Sequence, residues 1–148
     1  MPTIENSVTI NAPLDRVYVI AKDVERFPEF MPDVKELTVL EREGNRVVTR
    51  WAGVIQQFKV TVRWTEEDVW DDTAHTCTFR QLEGDYDLLE GTWTFTEVPE
   101  GTLFRSEVTY EYHVPLLGPL VARVVKHLVS TNIQNLLEAV KRRAEANG

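Results

Sequence analysis

Two hydrophobic periods divide the chain. The segment TIENSVTI (residues 3–10) alternates, with Ile4, Asn6, Val8 and Ile10 on one face and Glu5, Ser7 and Thr9 on the other. That spacing predicts a half-buried strand. In NAPLDRVYVIAKD the period changes to that of a helix, with Leu14, Val17, Ile20 and Ala21 on one side. Asn11 is placed to cap this helix and Pro13 suits its first turn. Pro28 starts a second, short helix, and Pro32 ends it by disfavouring helix at Met31. Phe27, Phe30 and Met31 form its apolar side. From Val34 onward six further strands follow at hairpin spacing, the first two joined across Glu43-Gly44-Asn45. Such spacing makes the sheet mainly antiparallel. Between Leu116 and Ala146 the helical period returns, through Leu117, Leu120, Val121, Val124, Val125, Leu128, Ile133, Leu136, Leu137 and Val140. A helix of about 30 residues would span ~45 Å.

A sheet with one apolar face needs a cover. The order strand, two short helices, six strands and long helix predicts an α+β fold. A curved seven-stranded sheet wraps around the C-terminal helix, the short helices close one end, and a cavity remains between. Several phases point inward. Phe58, Val60, Val62 and Trp64 share one, and continuing it brings Glu66 and Asp68 to the same side. Either these carboxylates enter the pocket, where they could act as acid and base, or the strand bends and both are solvated. Trp51 is expected inward and Arg50 outward. Leu89, Gly91, Trp93 and Phe95 form one face, and Phe104, Ser106, Val108, Tyr110 and Tyr112 another. Gly91, opposite bulky neighbours, would leave room for a ligand, and the hydroxyls of Tyr110 and Tyr112 could orient a head group or serve as acid or base. On the long helix Val121, Val124, Val125 and Leu128 should face the cavity. Asn132 extends that stripe and either touches a ligand or satisfies a strand carbonyl. Cys77 reads as an inert buried thiol.

The stretches NAPLDRVYVIAKDVERFPEFMPDVKELTVLE and LEGDYDLLEGTWTF, together with the terminal helix, resemble the START-like (SRPBCC, helix-grip) superfamily. Within it, they are similar to the bacterial branch of polyketide cyclase/dehydrases and coenzyme Q-binding proteins. The resemblance covers essentially all 148 residues and implies one START-like domain over residues 1–148. It implies a deep pocket for a lipid, quinone or polyketide-like aromatic, lined by Phe27, Phe30, Met31 and the inward residues above. In the aromatase/cyclases, a serine and an arginine stand where this chain has Glu66 and Asp68, and a tyrosine stands at Val34. These departures count against cyclase activity. The leading expectation is therefore a binding protein, the alternative a cyclase or dehydratase acting on a tethered poly-β-ketone. A second alternative is an interaction protein like the branch's ribosome-associating toxin.

Composition narrows the rest. The net charge of -8 disfavours nucleic acid. The cluster Lys141-Arg142-Arg143 complements a helix C-terminus. One cysteine excludes an internal disulfide. His75, His113 and His127 lie far apart in sequence, and neither a metal nor a cofactor is expected. No leader or membrane span is legible, so the expectation is a cytoplasmic protein.

Overall fold

The computed structural model describes the backbone of residues 3–55, 60–112 and 119–146, and side chains of 3–54, 61–112 and 123–146. The expectations for Phe58, His113 and Leu117, and for the side chains of Val60, Leu120 and Val121, lie outside these residues. Strand β1 (Thr3–Ile10) leads into helix α1 (Leu14–Lys22), a 3-10 turn (Val24–Arg26) and helix α2 (Phe27–Phe30). Six strands follow: β2 (Val34–Glu43), β3 (Arg46–Ile55), β4 (Val60–Asp71), β5 (Thr76–Gly84), β6 (Leu88–Val98) and β7 (Gly101–Glu111). Helix α3 (Pro119–Glu145) ends the described chain. The seven strands form one sheet in the order β1-β7-β6-β5-β4-β3-β2, every neighbouring pair antiparallel.

This order explains the two short helices. β2 to β7 is an uninterrupted meander, yet β1 and β2 lie at opposite edges of the sheet. The chain must cross from one edge to the other, and α1 and α2 are that crossing. Pro32 acts as expected: Met31 leaves the helix with φ -118° and ψ 102°. Asn11 does not cap α1. Pro13 takes the N-cap position without a side-chain hydrogen bond. The Asn11 backbone N–H instead donates to Glu145 Oε2 at 2.8 Å, fastening the exit of β1 to the end of α3.

Helix α3 lies against the concave face and is tied along β1. Asn6 Nδ2 donates to Gln134 Oε1 at 3.0 Å, and Lys141 Nζ donates to the Thr9 carbonyl at 2.8 Å. Arg16 Nε donates to the Ala144 carbonyl at 2.6 Å, locking α1 to the same helix. The core gathers where α1, α2 and α3 meet the sheet. Phe27, Phe104, Val17, Leu137 and Val140 are completely buried, and Phe95 stacks on Phe104 with centroids 4.4 Å apart. Val124 is 39% exposed, which corrects its expected inward orientation. The buried stripe of α3 runs instead through Val125, Leu128, Val129, Leu136 and Leu137. At 3.6 residues per turn Val124 falls about 100° around the helix from the middle of that stripe, on its exposed flank.

Phe104→Ala is expected to cost about 3–5 kcal/mol of unfolding free energy, because the ring leaves a cavity between Phe95 and Trp93. Val124→Ala should change it by less than about 0.5 kcal/mol. Urea denaturation of both variants distinguishes the two environments, and comparable losses would contradict this placement of α3.

Candidate functional site

Strand β4 sends Val62, Trp64, Glu66, Asp68 and Trp70 to the concave side in unbroken alternation. The strand neither turns out nor leaves the sheet at the acidic run. Glu66 is 6% exposed and Asp68 3% exposed, so the solvated alternative is excluded. Irregularity does occur, but on the partner: Thr65 faces Glu83 while Glu66 faces Gln81, so β5 carries the extra residue. At that bulge Gly84 has φ +150°, and a Cβ there would lie 2.5 Å from Trp64 Cα. Only glycine suits this close crossing.

Register supplies the partners of the two acids. Thr49 and Trp51 on β3 stand opposite Glu66 and Trp64. The Trp51 indole N–H donates to Thr49 Oγ1 at 2.8 Å, and Thr49 Oγ1 donates to Asp68 Oδ2 at 2.8 Å. On the other side the Trp64 indole N–H donates to Glu66 Oε1 at 2.7 Å. The two indoles stack with centroids 5.6 Å apart and planes within 10°. Trp64 lies across β3 at Gly53, where a Cβ would touch its ring at 3.4 Å.

Burial pushes the Glu66 carboxyl well above the usual range, and the charge of Asp68 and their mutual hydrogen bond push it further. Burial also raises Asp68, though hydrogen bonds from Glu66 and Thr49 oppose it. Both carboxyls are thus held above their usual range, Glu66 further than Asp68, so Glu66 keeps its proton to the higher pH. Among the described residues Asp68 Oδ1 has no hydrogen-bond partner.

Above the pair is a cavity of about 140 Å³. Its walls include Trp51, Trp64, Trp70, Phe79, Tyr86 and Trp93. Val62, Leu89, Val108 and Cys77 add apolar wall from the sheet, and Val129, Ile133 and Leu136 close it from α3. Burial drives the Cys77 thiol strongly upward, so it stays protonated. Ser106 is completely buried at the wall, and its Oγ has no hydrogen-bond partner among the described residues. Asn132 lies at the wall, and its side-chain N–H donates to the Val54 carbonyl at 3.2 Å, the strand-carbonyl role expected of it. The end under α2 is formed by Met31, Pro32, Asp33 and Val34. There Asn135 Nδ2 donates to Asp33 Oδ2 at 2.9 Å, and the Val54 N–H donates to the Asp33 carbonyl at 2.8 Å.

Not every expected residue reaches this space. Phe27 and Phe104 are core behind it, while Phe30 packs under the Arg143 guanidinium at 5.1 Å. Tyr110 is buried with Leu89, Val108 and Val125, and Tyr112 stacks edge-on against Tyr86 at 5.5 Å. Neither tyrosine is at the cavity wall, nor are Val125 and Leu128. Gly91 does not make room for a guest: the Phe79 ring fills its place, 2.7 Å from where a Cβ would stand. Sequence reasoning missed Phe79, which shares the inward phase of β5 with Cys77, and Tyr86, which sits in a loop and has no period to betray it.

The family model for polyketide cyclase/dehydrase and lipid transport matches residues 10–137. The chain belongs to that family. Among its relatives is a protein of Streptomyces halstedii, provisionally named a polyketide cyclase, 32% identical over 68% of this chain and 94% of its own length. A second, from Streptomyces cyaneus and provisionally named alike, is 26% identical over 95% of this chain and 92% of its own. Of solved structures, the protein TTHA0849 from Thermus thermophilus superposes with a TM-score of 0.93 at 37% identity, covering 99% of both chains. The Zhui aromatase/cyclase from Streptomyces sp. R1128 shares the fold, with a TM-score of 0.83 at 22% identity over 99% of this chain and 98% of that one. These likenesses establish the START-like, helix-grip architecture.

The acid pair makes stability depend on pH. The folded pKa of Glu66 lies above its unfolded value, so the stability from its retained proton is complete below about pH 4.3 and drains away as pH rises toward the folded value. The slope for one proton is at most about 1.4 kcal/mol per pH unit. Glu66→Gln keeps a donor for Asp68 and cannot ionise. Between pH 5 and 8 the variant should therefore gain on the wild type with each step in pH, as read by urea denaturation. A constant difference across that range would show that Glu66 is ionised when folded.

Proposed function

We propose that the chain binds a small aromatic or otherwise apolar molecule in the cavity between β4 and α3. The observation that carries this is the wall: four indoles, Phe79 and Tyr86 surround a void that none of them fills. Fully interdigitated cores leave few such spaces. Family membership supports a ligand-binding or cyclase role in general, and the binding reading is the more specific. Volume limits the guest. An apolar cavity of ~150 Å³ holds one benzene ring, while drug-sized ligands occupy ~300–1,000 Å³. In the described conformation a single ring fits. A quinone with a prenyl tail, a lipid or a polycyclic aromatic requires the Met31–Val34 end to move aside. The Asp33–Asn135 and Asp33–Val54 hydrogen bonds hold that end closed.

Mass spectrometry of protein purified without denaturation, then unfolded, is expected to release a small apolar compound. Monocyclic aromatics and quinones should raise the melting temperature. Met31→Trp should fill the closed end and abolish that rise while the protein remains folded. No released compound and no thermal shift with either class would defeat the proposal.

A second reading rests on the acid pair. Two buried carboxyls, of which Glu66 keeps its proton to the higher pH, can supply an acid and a base to a dehydration or aldol step. It would make the chain a cyclase or dehydratase, using Glu66 as acid and Asp68 as base. Against it stand the substitutions that place these carboxyls where related aromatase/cyclases carry serine and arginine, and Val34 where they carry tyrosine. Incubation with a poly-β-ketone is expected to leave the spontaneous product distribution unchanged. A redistributed product pattern that Glu66→Gln abolishes would replace binding with catalysis.

A further inference from the structure

The charges at the cavity wall have one sign. Among the described lining residues Asp33, Glu66 and Asp68 are acidic, and none is lysine, arginine or histidine. Asp33 sits at the exposed end and receives the Asn135 amide. Glu66 and Asp68 lie in the interior, and the charge the pair takes on first ionising falls on Asp68, beside three neutral donors: the Trp64 indole, the Thr49 hydroxyl and, behind it, the Trp51 indole. The other titratable groups at the wall bring no compensation, because burial keeps the Cys77 thiol and the Tyr86 hydroxyl in their neutral forms. A buried anion without a counter-charge is costly, and proteins normally pair it.

Two further features face the same space. Indole and phenyl faces attract cations through their quadrupoles, more strongly where water is excluded. Trp51, Trp64, Trp70 and Trp93 all reach this wall. Ser106, on β7, presents a completely buried hydroxyl with no hydrogen-bond partner among the described residues. A buried hydroxyl without a partner costs about 1–3 kcal/mol, which a ligand that completes its hydrogen bonding would recover. A purely hydrocarbon guest satisfies neither the anion nor the hydroxyl. A neutral alcohol satisfies the hydroxyl alone.

We propose that the guest is an aromatic amine in its ammonium form, its ring among the indoles and its nitrogen at the Glu66–Asp68 pair. This rests on the reading of the cavity as a binding site and names the chemical class it takes. The ammonium supplies the missing counter-charge and a donor to Asp68, while the cavity volume confines the ring system to one ring.

Isothermal titration calorimetry of the full chain at pH 7 tests it with three probes of similar shape: 2-phenylethylamine, 2-phenylethanol and 3-phenylpropionate. The amine should bind at least about ten-fold more tightly than the alcohol, and the carboxylate most weakly, as expected for a desolvated anion facing aromatic rings. In Glu66→Gln/Asp68→Asn the amine and the alcohol should bind within about two-fold of each other, with the alcohol little changed. A wild type that binds the alcohol or the carboxylate as tightly as the amine overturns the charge assignment while leaving the binding site intact. Failure of all three probes to bind defeats the amine proposal together with the monocyclic reading of the cavity. If the double variant does not fold, the wild-type order of affinities decides alone.

Discussion

Taking Glu66 and Asp68 out of water is the constraint that the site must satisfy. Ionised carboxylates in an apolar interior are expensive, and here each carboxyl keeps a raised pKa and receives one neutral donor, Thr49 for Asp68 and Trp64 for Glu66. The surrounding features follow. Thr49 must stand opposite Glu66, which fixes the β3–β4 register. Both Trp51 and Trp64 must turn their N–H edges toward the acids, which stacks the indoles. Gly84 must lack a side chain, so that β5 can bulge around Trp64. What reads in sequence as an acidic run among tryptophans is, in three dimensions, one hydrogen-bonded unit.

Much of the fold was legible because its signals are periodic. The alternation of β1, the prolines around α2 and the long apolar stripe of α3 each map one period onto one element. Even the inward direction of Glu66 and Asp68 followed from extending the phase of Val62 and Trp64. The competing expectation, that charge runs face water, failed here because a strand's alternation outlasts two polar residues when flanking indoles anchor its phase. Losses occurred where period gives no information. Tyr86 is in a loop, and whether Ser106 finds a partner is a matter of geometry. Val124 was misplaced because two adjacent valines do not reveal which of them turns inward. Gly91 suggested room, but the volume it vacates belongs to Phe79, a neighbour across the β5–β6 ladder that no local pattern links to it.

Membership in the polyketide cyclase/dehydrase and lipid-transport family sets the frame, and this chain fills its interior with acidic and aromatic groups. An arginine at the Asp68 position would offer a cation to carbonyl oxygens. This chain offers an acid, a carboxylate and aromatic faces in the same wall.

The strand order has a further consequence for how the binding space comes into being. β2 to β7 pair with immediate neighbours in the chain and need only local turns. β1 must wait for β7, and α3 must wait for β1, to which Gln134 and Lys141 tie it. The cavity's roof is therefore made from the last element of the sheet-and-helix order, clasped to the first. A partly made chain could form its hairpins, yet it would have no enclosed interior and no means to hold a guest. Occupancy is in this sense a report on completion: whatever the cavity captures can be captured only by a chain in which β1 and α3 have met.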